Sequence, residues 1–143
     1  MQVFIVGSPL DTAMALDRRR LNKQIIECRQ ILAAIEGTST AWANHPCTLQ
    51  YKNHVNWLRT YMWCLEEYVS ESPELLMLLN YDKYCENCKP DFHTQEYLDQ
   101  MKRRLYTKNN VYYTQWSSLG ESQENWYFVD GEWRRYINGK RIK

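Results

Sequence analysis

Apolar residues recur at helical spacing along much of the chain. Between residues 16 and 36, Leu21, Ile25, Cys28, Leu32 and Ile35 step by four, three, four and three, which lines one stripe of an α-helix and predicts that stripe to be core. Asp17 is suited to cap its start and Gly37 to end it. A second long helix is predicted from Pro46, because Tyr51, Val55, Leu58, Met62, Leu65 and Val69 step in the same way. A third amphipathic stretch, residues 94–106, turns Leu98, Met101 and Leu105 inward and Lys102, Arg103 and Arg104 outward.

Shorter signals fill the remainder. Val3, Phe4, Ile5 and Val6 make a short apolar segment, and Ser8-Pro9 opens a short helix that ends near Leu16. Residues 37–40 read as a loop. The pattern weakens over residues 70–91, where Pro73 starts a short helix through Leu79 and residues 80–91 read as an irregular acidic loop. Residues 126–129 and 132–137 flank Asp130-Gly131, the signature of a β-hairpin with a tight turn. The expectation is a mainly α, single compact domain over residues 1–143 with two long packed helices. Within it, residues 1–116 form the helical region and residues 117–143 a small β-hairpin and basic tail.

Charge changes this picture only when divided along the chain. The formal net charge is +1, yet residues 1–60 carry seven Lys/Arg against four Asp/Glu, residues 61–99 two against nine, and residues 100–143 nine against four. Two basic ends flank an acidic middle, which permits an anionic partner on one face. No apolar run approaches a membrane span, and no basic stretch followed by a long hydrophobic one opens the chain, so a cytoplasmic protein without a membrane partner is expected. Cys28, Cys47 and Cys64 fall at apolar helical positions, as reduced core thiols do. Cys85 and Cys88 form one CxxC with His93 close behind, but no second Cys pair completes a zinc set, and no metal is expected.

Candidate chemistry centres on the first long helix. At about 100° per residue, Arg20, Lys23, Gln24 and Glu27 share a face roughly 120° from the middle of the apolar stripe. One carboxylate thus stands among cations beside the core. Spacing alone favours the plainer reading, a solvated face with a Lys23–Glu27 pair at i, i+4.

The pattern Leu16-Asp17, Arg20-Leu21, Lys23-Gln24, Glu27, Gln30-Ile31-Leu32, followed by Ala41-Trp42 and Asn44-His45-Pro46, resembles the pyrimidine-dimer DNA glycosylase family of phage endonuclease V type. The likeness is closest to bacterial and phage relatives of that enzyme. It runs from Met1 to about Trp116 and is dense only in the first third. The resemblance implies that Glu27 is the catalytic acid, stabilising cationic character at the sugar C1′ and moving protons during ring opening. It also implies that the chain's own α-amine, at Met1, is the nucleophile, forming an imine with deoxyribose and cleaving the strand by β-elimination. An α-amine ordinarily titrates at about 7.7–8.0, so part of it is unprotonated at neutral pH.

Several positions depart from the family pattern. The phage enzyme exposes a small residue after Met removal, whereas the bulk of Gln2 is expected to leave Met1 in place. Ile26 and Gln30 stand where the phage enzyme carries arginines, and Arg20 stands in the region of its His. Arg104-Leu105 and Lys108 match the late helix of the family, with His93 at a similar spacing before them.

The resemblance therefore implies a DNA repair protein with glycosylase and abasic-site lyase activity on damaged duplex DNA, needing no metal or organic cofactor. Met1 and Glu27 would be catalytic; Arg20, Lys23, Gln24, Gln30, His45, His93, Arg104, Lys108, Tyr112 and Trp116 would hold nucleic acid. Three basic clusters, at residues 18–23, 102–108 and 134–143, are interleaved with Tyr112, Tyr113, Trp116, Trp126 and Trp133, aromatics suited to stacking on bases or to filling a core. The alternative on the same scaffold is a non-catalytic binder of a nucleotide or nucleic acid, for example a phage protein sequestering a nucleotide signal. A blander third reading is a protein-interaction module that presents the acidic middle segment.

Overall fold

The computed structural model describes residues 1–70 and 89–142. Among them the chain is mainly α-helical, with a small three-stranded antiparallel sheet near its end. Contacts divide the chain into two compact units, Met1–Pro90 and Asp91–Lys143. The helix expected after Pro73, most of the acidic loop, and the Cys85/Cys88 pair lie outside the described residues.

The first unit begins with an extended segment in which Val3, Phe4 and Ile5 are buried. It enters α1 (Pro9–Ala15) through a capping box. The Ser8 hydroxyl accepts the Asp11 N–H at 3.0 Å, and the Asp11 carboxylate accepts the Ser8 N–H at 3.2 Å. Gly7 belongs beside this box because a Cβ there would meet Asp11 Oδ2 at 2.9 Å.

Helix α2 (Arg18–Glu36) ends on Gly37 in the left-handed conformation, φ 80°, as its sequence predicts. Asp17 occupies the N-cap, but its side chain makes no capping bond, a correction to the expected start. Leu21, Ile25, Cys28 and Leu32 are buried as expected, whereas Ile35 is only half-buried. A neighbouring stripe is buried too: Gln24, Glu27 and Ile31. The solvated-face reading of α2 therefore fails at Gln24 and Glu27, holds at Lys23, which is exposed, and holds only in part at the half-buried Arg20.

The second long helix is instead two helices, α3 (Pro46–Tyr51) and α4 (Val55–Ser70). The His54 N–H bonds the Tyr51 carbonyl at 2.9 Å and the Leu58 N–H bonds the His54 carbonyl at 3.0 Å, so the chain turns between them and starts afresh. That reset changes the phase. Trp57, Tyr61 and Cys64 join Leu58 and Leu65 in the core, while Val55, Met62 and Val69 are half-buried. Tyr51, Trp57 and Tyr61 stack with centroid spacings of 5.7 and 5.1 Å. Helix α2 contacts both α3 and α4, and α1 contacts α4.

In the second unit, Thr94 caps α5 (Gln95–Lys108) by accepting the Tyr97 N–H at 3.3 Å. A 3₁₀ helix (Thr114–Leu119) follows. The predicted hairpin is β1 (Asn125–Val129) and β2 (Glu132–Ile137), paired from Asn125↔Tyr136 to Val129↔Glu132. A third strand, β3 (Lys140–Ile142), pairs antiparallel with β2, so the expected basic tail is part of the sheet. Both turns have two left-handed residues, Asp130-Gly131 at φ 54° and 77° and Asn138-Gly139 at φ 51° and 78°. Asn-Gly is as strong a turn signal as Asp-Gly.

Arg104 corrects the expected polarity of α5. Its side chain points inward, with Nε donating to Asn125 Oδ1 and Nη1 to the Ser122 carbonyl, both at 2.8 Å. Gln100 donates to Ser122 Oγ at 2.8 Å and to the Glu124 carbonyl at 2.7 Å, and Arg103 donates to the Leu119 carbonyl at 3.1 Å. These side chains hold the irregular stretch before β1 against the helix, because its backbone has no ladder of its own.

Candidate active site around Glu27 and the chain start

The first residues of the chain are fastened to α2 by side chains rather than by a strand. Gln24 Oε1 accepts the Phe4 N–H at 2.6 Å, and Gln24 Nε2 donates to the Gln2 carbonyl at 2.9 Å. The amide thereby imitates the paired donor and acceptor of a neighbouring strand. The Tyr61 hydroxyl donates to the Phe4 carbonyl, and the Val6 N–H donates to Thr12 Oγ1 at 3.1 Å. One turn along α2 from Gln24, Glu27 Oε2 accepts the Gln2 N–H at 3.2 Å. Glu27 is only 7% exposed.

This register decides where the α-amine lies. Successive backbone nitrogens are within about 4 Å of each other by covalent geometry. The Met1 nitrogen is therefore within about 7 Å of the Glu27 carboxylate. Arg20, one turn before Gln24, is half-buried with its guanidinium carbon 5.6 Å from the centroid of the Phe4 ring. A cation and an anion thus flank the first residues.

The third side of the site comes from the start of α3. His45 is its N-cap, and its Nδ1 accepts the Cys47 N–H at 3.0 Å. In the neutral ring the proton therefore sits on Nε2. Burial, and then the nearby N-terminal ammonium, lower the His45 pKa from 6.5 to about 4. Cys47 is buried and hydrogen-bonded to the Val3 backbone; burial pushes its thiol up to about 12, with Glu27 adding to the rise and the ammonium and Val3 opposing it. Burial also raises Cys28 well above the ordinary thiol value, with contributions from Cys47, Glu27 and Glu66. The two thiols are neutral, nonreactive packing groups at physiological pH.

Of the site residues expected from the sequence, the structure brings together Met1, Arg20, Gln24, Glu27 and His45. Lys23 and Gln30 lie on the solvent side of α2. The others belong to the second unit. His93 is buried and stacks on Tyr97 at 5.8 Å. Lys108 is exposed in the last turn of α5. Tyr112 is 49% exposed, and Trp116 is half-buried and stacked on the buried Tyr113 at 5.4 Å. In the last basic cluster, Arg134 pairs with Asp130 and Glu132, Arg135 with Glu124 and Arg141 with Glu132. That cluster carries less free charge than its sequence suggests.

Two contributors were not identified as site residues from the sequence. Tyr61 reaches the Phe4 carbonyl across 57 positions, and nothing local announces such a contact. Trp42 has its ring 5.6 Å from His45, edge to face; its place two residues before Asn44-His45-Pro46 was the available signal. Among the described residues, no group of three His, Cys, Asp or Glu is arranged to hold a metal ion, and no helix is long and apolar enough to cross a membrane.

Comparison with known proteins adds one finding. Residues 1–71 match the family described as pyrimidine dimer DNA glycosylase. That span contains Met1, Arg20, Gln24, Glu27 and His45. No curated protein and no solved structure matches the chain.

Proposed function

From the membership of residues 1–71 in the pyrimidine dimer DNA glycosylase family, we propose that this protein excises a damaged pyrimidine from duplex DNA and cleaves the strand through an imine to its own α-amine. The observation that supports this most is the hydrogen bond from the Gln2 N–H to Glu27, which puts a nearly buried carboxylate one residue from that amine.

The chemistry proceeds in balanced steps. The unprotonated amine attacks C1′, and the C1′–N bond to the base breaks, its electron pair leaving with the base. The attacking nitrogen gives up a proton, which Glu27 relays to the ring oxygen as the C1′–O4′ bond opens and the iminium forms. Loss of a C2′ proton then expels the 3′ phosphate by β-elimination, and water releases the enzyme from the sugar. Neutral His45 adds no positive charge beside the attacking amine. The Arg20 guanidinium, held by the Phe4 ring, is available to a phosphate. The nucleotide has to leave the stack for the amine to reach C1′.

Borohydride trapping on an abasic-site duplex tests this reading. The expected result is a covalent adduct that maps to the N-terminal peptide and disappears when the amine is blocked. Glu27→Gln is expected to lower strand cleavage by about 10²- to 10⁴-fold. A folded protein that forms no adduct and cuts no strand would defeat the proposal.

A second reading rests on a separate observation. The second unit contains a cleft of about 220 Å³ lined by Thr94, Glu96, Tyr97, Trp126, Trp133 and Arg135. Aromatic walls suit stacking on one nucleobase, while the Arg135 guanidinium is already paired with Glu124. Equilibrium dialysis against nucleoside monophosphates measures this, and retention that is lost in Trp133→Ala would favour the non-catalytic binder.

A further inference from the structure

We propose that Trp42 is a base-stacking platform that keeps the duplex open around the reacting nucleotide. This rests on the reading of Met1 and Glu27 as an imine-forming pair.

Trp42 lies in the loop between α2 and α3 with φ 66°. This left-handed conformation is strained for a bulky L side chain, whereas Gly or Asn adopts it readily. The loop nevertheless holds it there, with the His45 N–H on the Trp42 carbonyl at 3.1 Å and the Ala41 N–H on Ser39 Oγ at 3.2 Å. Burial does not compensate the strain, because the side chain is 46% exposed. The ring instead meets His45 edge to face, with centroids 5.6 Å apart, and His45 caps α3 two residues before Cys47, whose thiol is hydrogen-bonded to the Val3 backbone. A half-exposed indole thus stands on the segment whose next turn, through Cys47, holds the first residues of the chain.

That position matches a need of the proposed reaction. C1′ is shielded inside a duplex, and a nucleotide that leaves the stack, or the base left opposite the gap, loses its stacking partners. An indole face restores one of them without regard to base identity. The ligand is therefore a nucleobase of a duplex interrupted at the reacting site.

The test compares borohydride trapping rates on an abasic site in a duplex and in a single-stranded oligonucleotide, where no base has to be extruded. Trp42→Ala is expected to slow duplex trapping about tenfold or more and to slow single-strand trapping by a clearly smaller factor. Trp42→Phe, which keeps a stacking face, is expected to retain most of the duplex rate. Trp42→Gly, which removes the backbone strain, is expected to behave like Trp42→Ala. Equal losses on both substrates, or no loss on either, would overturn the role of Trp42 while leaving the Met1–Glu27 chemistry intact. A wild-type protein that traps neither substrate would defeat that chemistry, and this inference with it.

Discussion

Gln24 carries more of the site than its chemistry would suggest. Its side chain has no catalytic capacity in the proposed reaction, yet it fixes the register that puts Gln2 against Glu27. Replacing it with Ala leaves the Phe4 N–H and the Gln2 carbonyl buried without that partner. Gln24→Ala is expected to destabilise the protein by about 2–4 kcal/mol in urea denaturation and to lower strand cleavage by a larger factor than it lowers DNA affinity. His45 gives the site a dependence on pH. Its folded pKa, about 4, lies below its ordinary 6.5, so between these values the unfolded chain binds the extra proton. Stability therefore falls as pH drops from about 6.5 to 4 and changes little through this group above that window. In His45→Asn, which keeps an N-cap acceptor, denaturation midpoints at pH 7 and pH 4.5 are expected to lie closer together than in wild type. The buried Cys28 and Cys47 predict a third result: neither is alkylated by iodoacetamide in the native protein, and both are in denaturant, as read by peptide mass spectrometry.

The elements follow their local signals wherever those signals are strong. Ser8-Pro9, the α2 stripe, Gly37, Thr94 and Asp130-Gly131 all produce the features expected of them. The break between α3 and α4 was not legible, because the apolar residues on its two sides happen to keep helical spacing through the turn. Helical periodicity reports phase, and one turn of altered backbone can leave the count looking intact. The third strand was legible in Asn138-Gly139, read as part of a charged tail because Lys140, Arg141 and Lys143 dominate its composition. Both turns depend on left-handed backbone at the second central residue. Gly131→Ala, at φ 77° with open space around its Cβ position, is expected to cost about 1 kcal/mol through strain alone. Thermal melting followed by near-ultraviolet circular dichroism of the sheet tryptophans would measure it.

At the scale of the whole molecule, each unit carries its own basic residues. The basic residues near Glu27 and those on α5 would both attract a polyanion, but Arg104 is committed to Ser122 and Asn125, and the arginines of β2 and β3 have carboxylate partners. The proposed duplex binding is expected to weaken about tenfold or more between roughly 50 and 200 mM salt. A nucleotide held in the cleft of the second unit would respond less, since stacking contributes most of its affinity. Titrations of labelled duplex and of a mononucleotide over the same salt range separate the two readings.

The residue pattern alone was sufficient for the mainly helical character, the paths of α1, α2 and α5, and the first hairpin, whereas Glu27 stood out only through the family resemblance. The helices and the hairpin depend on neighbours within a few positions, where capping, turn chemistry and helical phase operate. Folding decided which polar side chains turn inward: Gln24 toward residues 2 and 4, Tyr61 toward Phe4, Arg104 toward residues 122 and 125. Those bonds join positions 18 to 57 residues apart, and they form because burial leaves each backbone donor and acceptor in need of a partner that only the folded chain can supply.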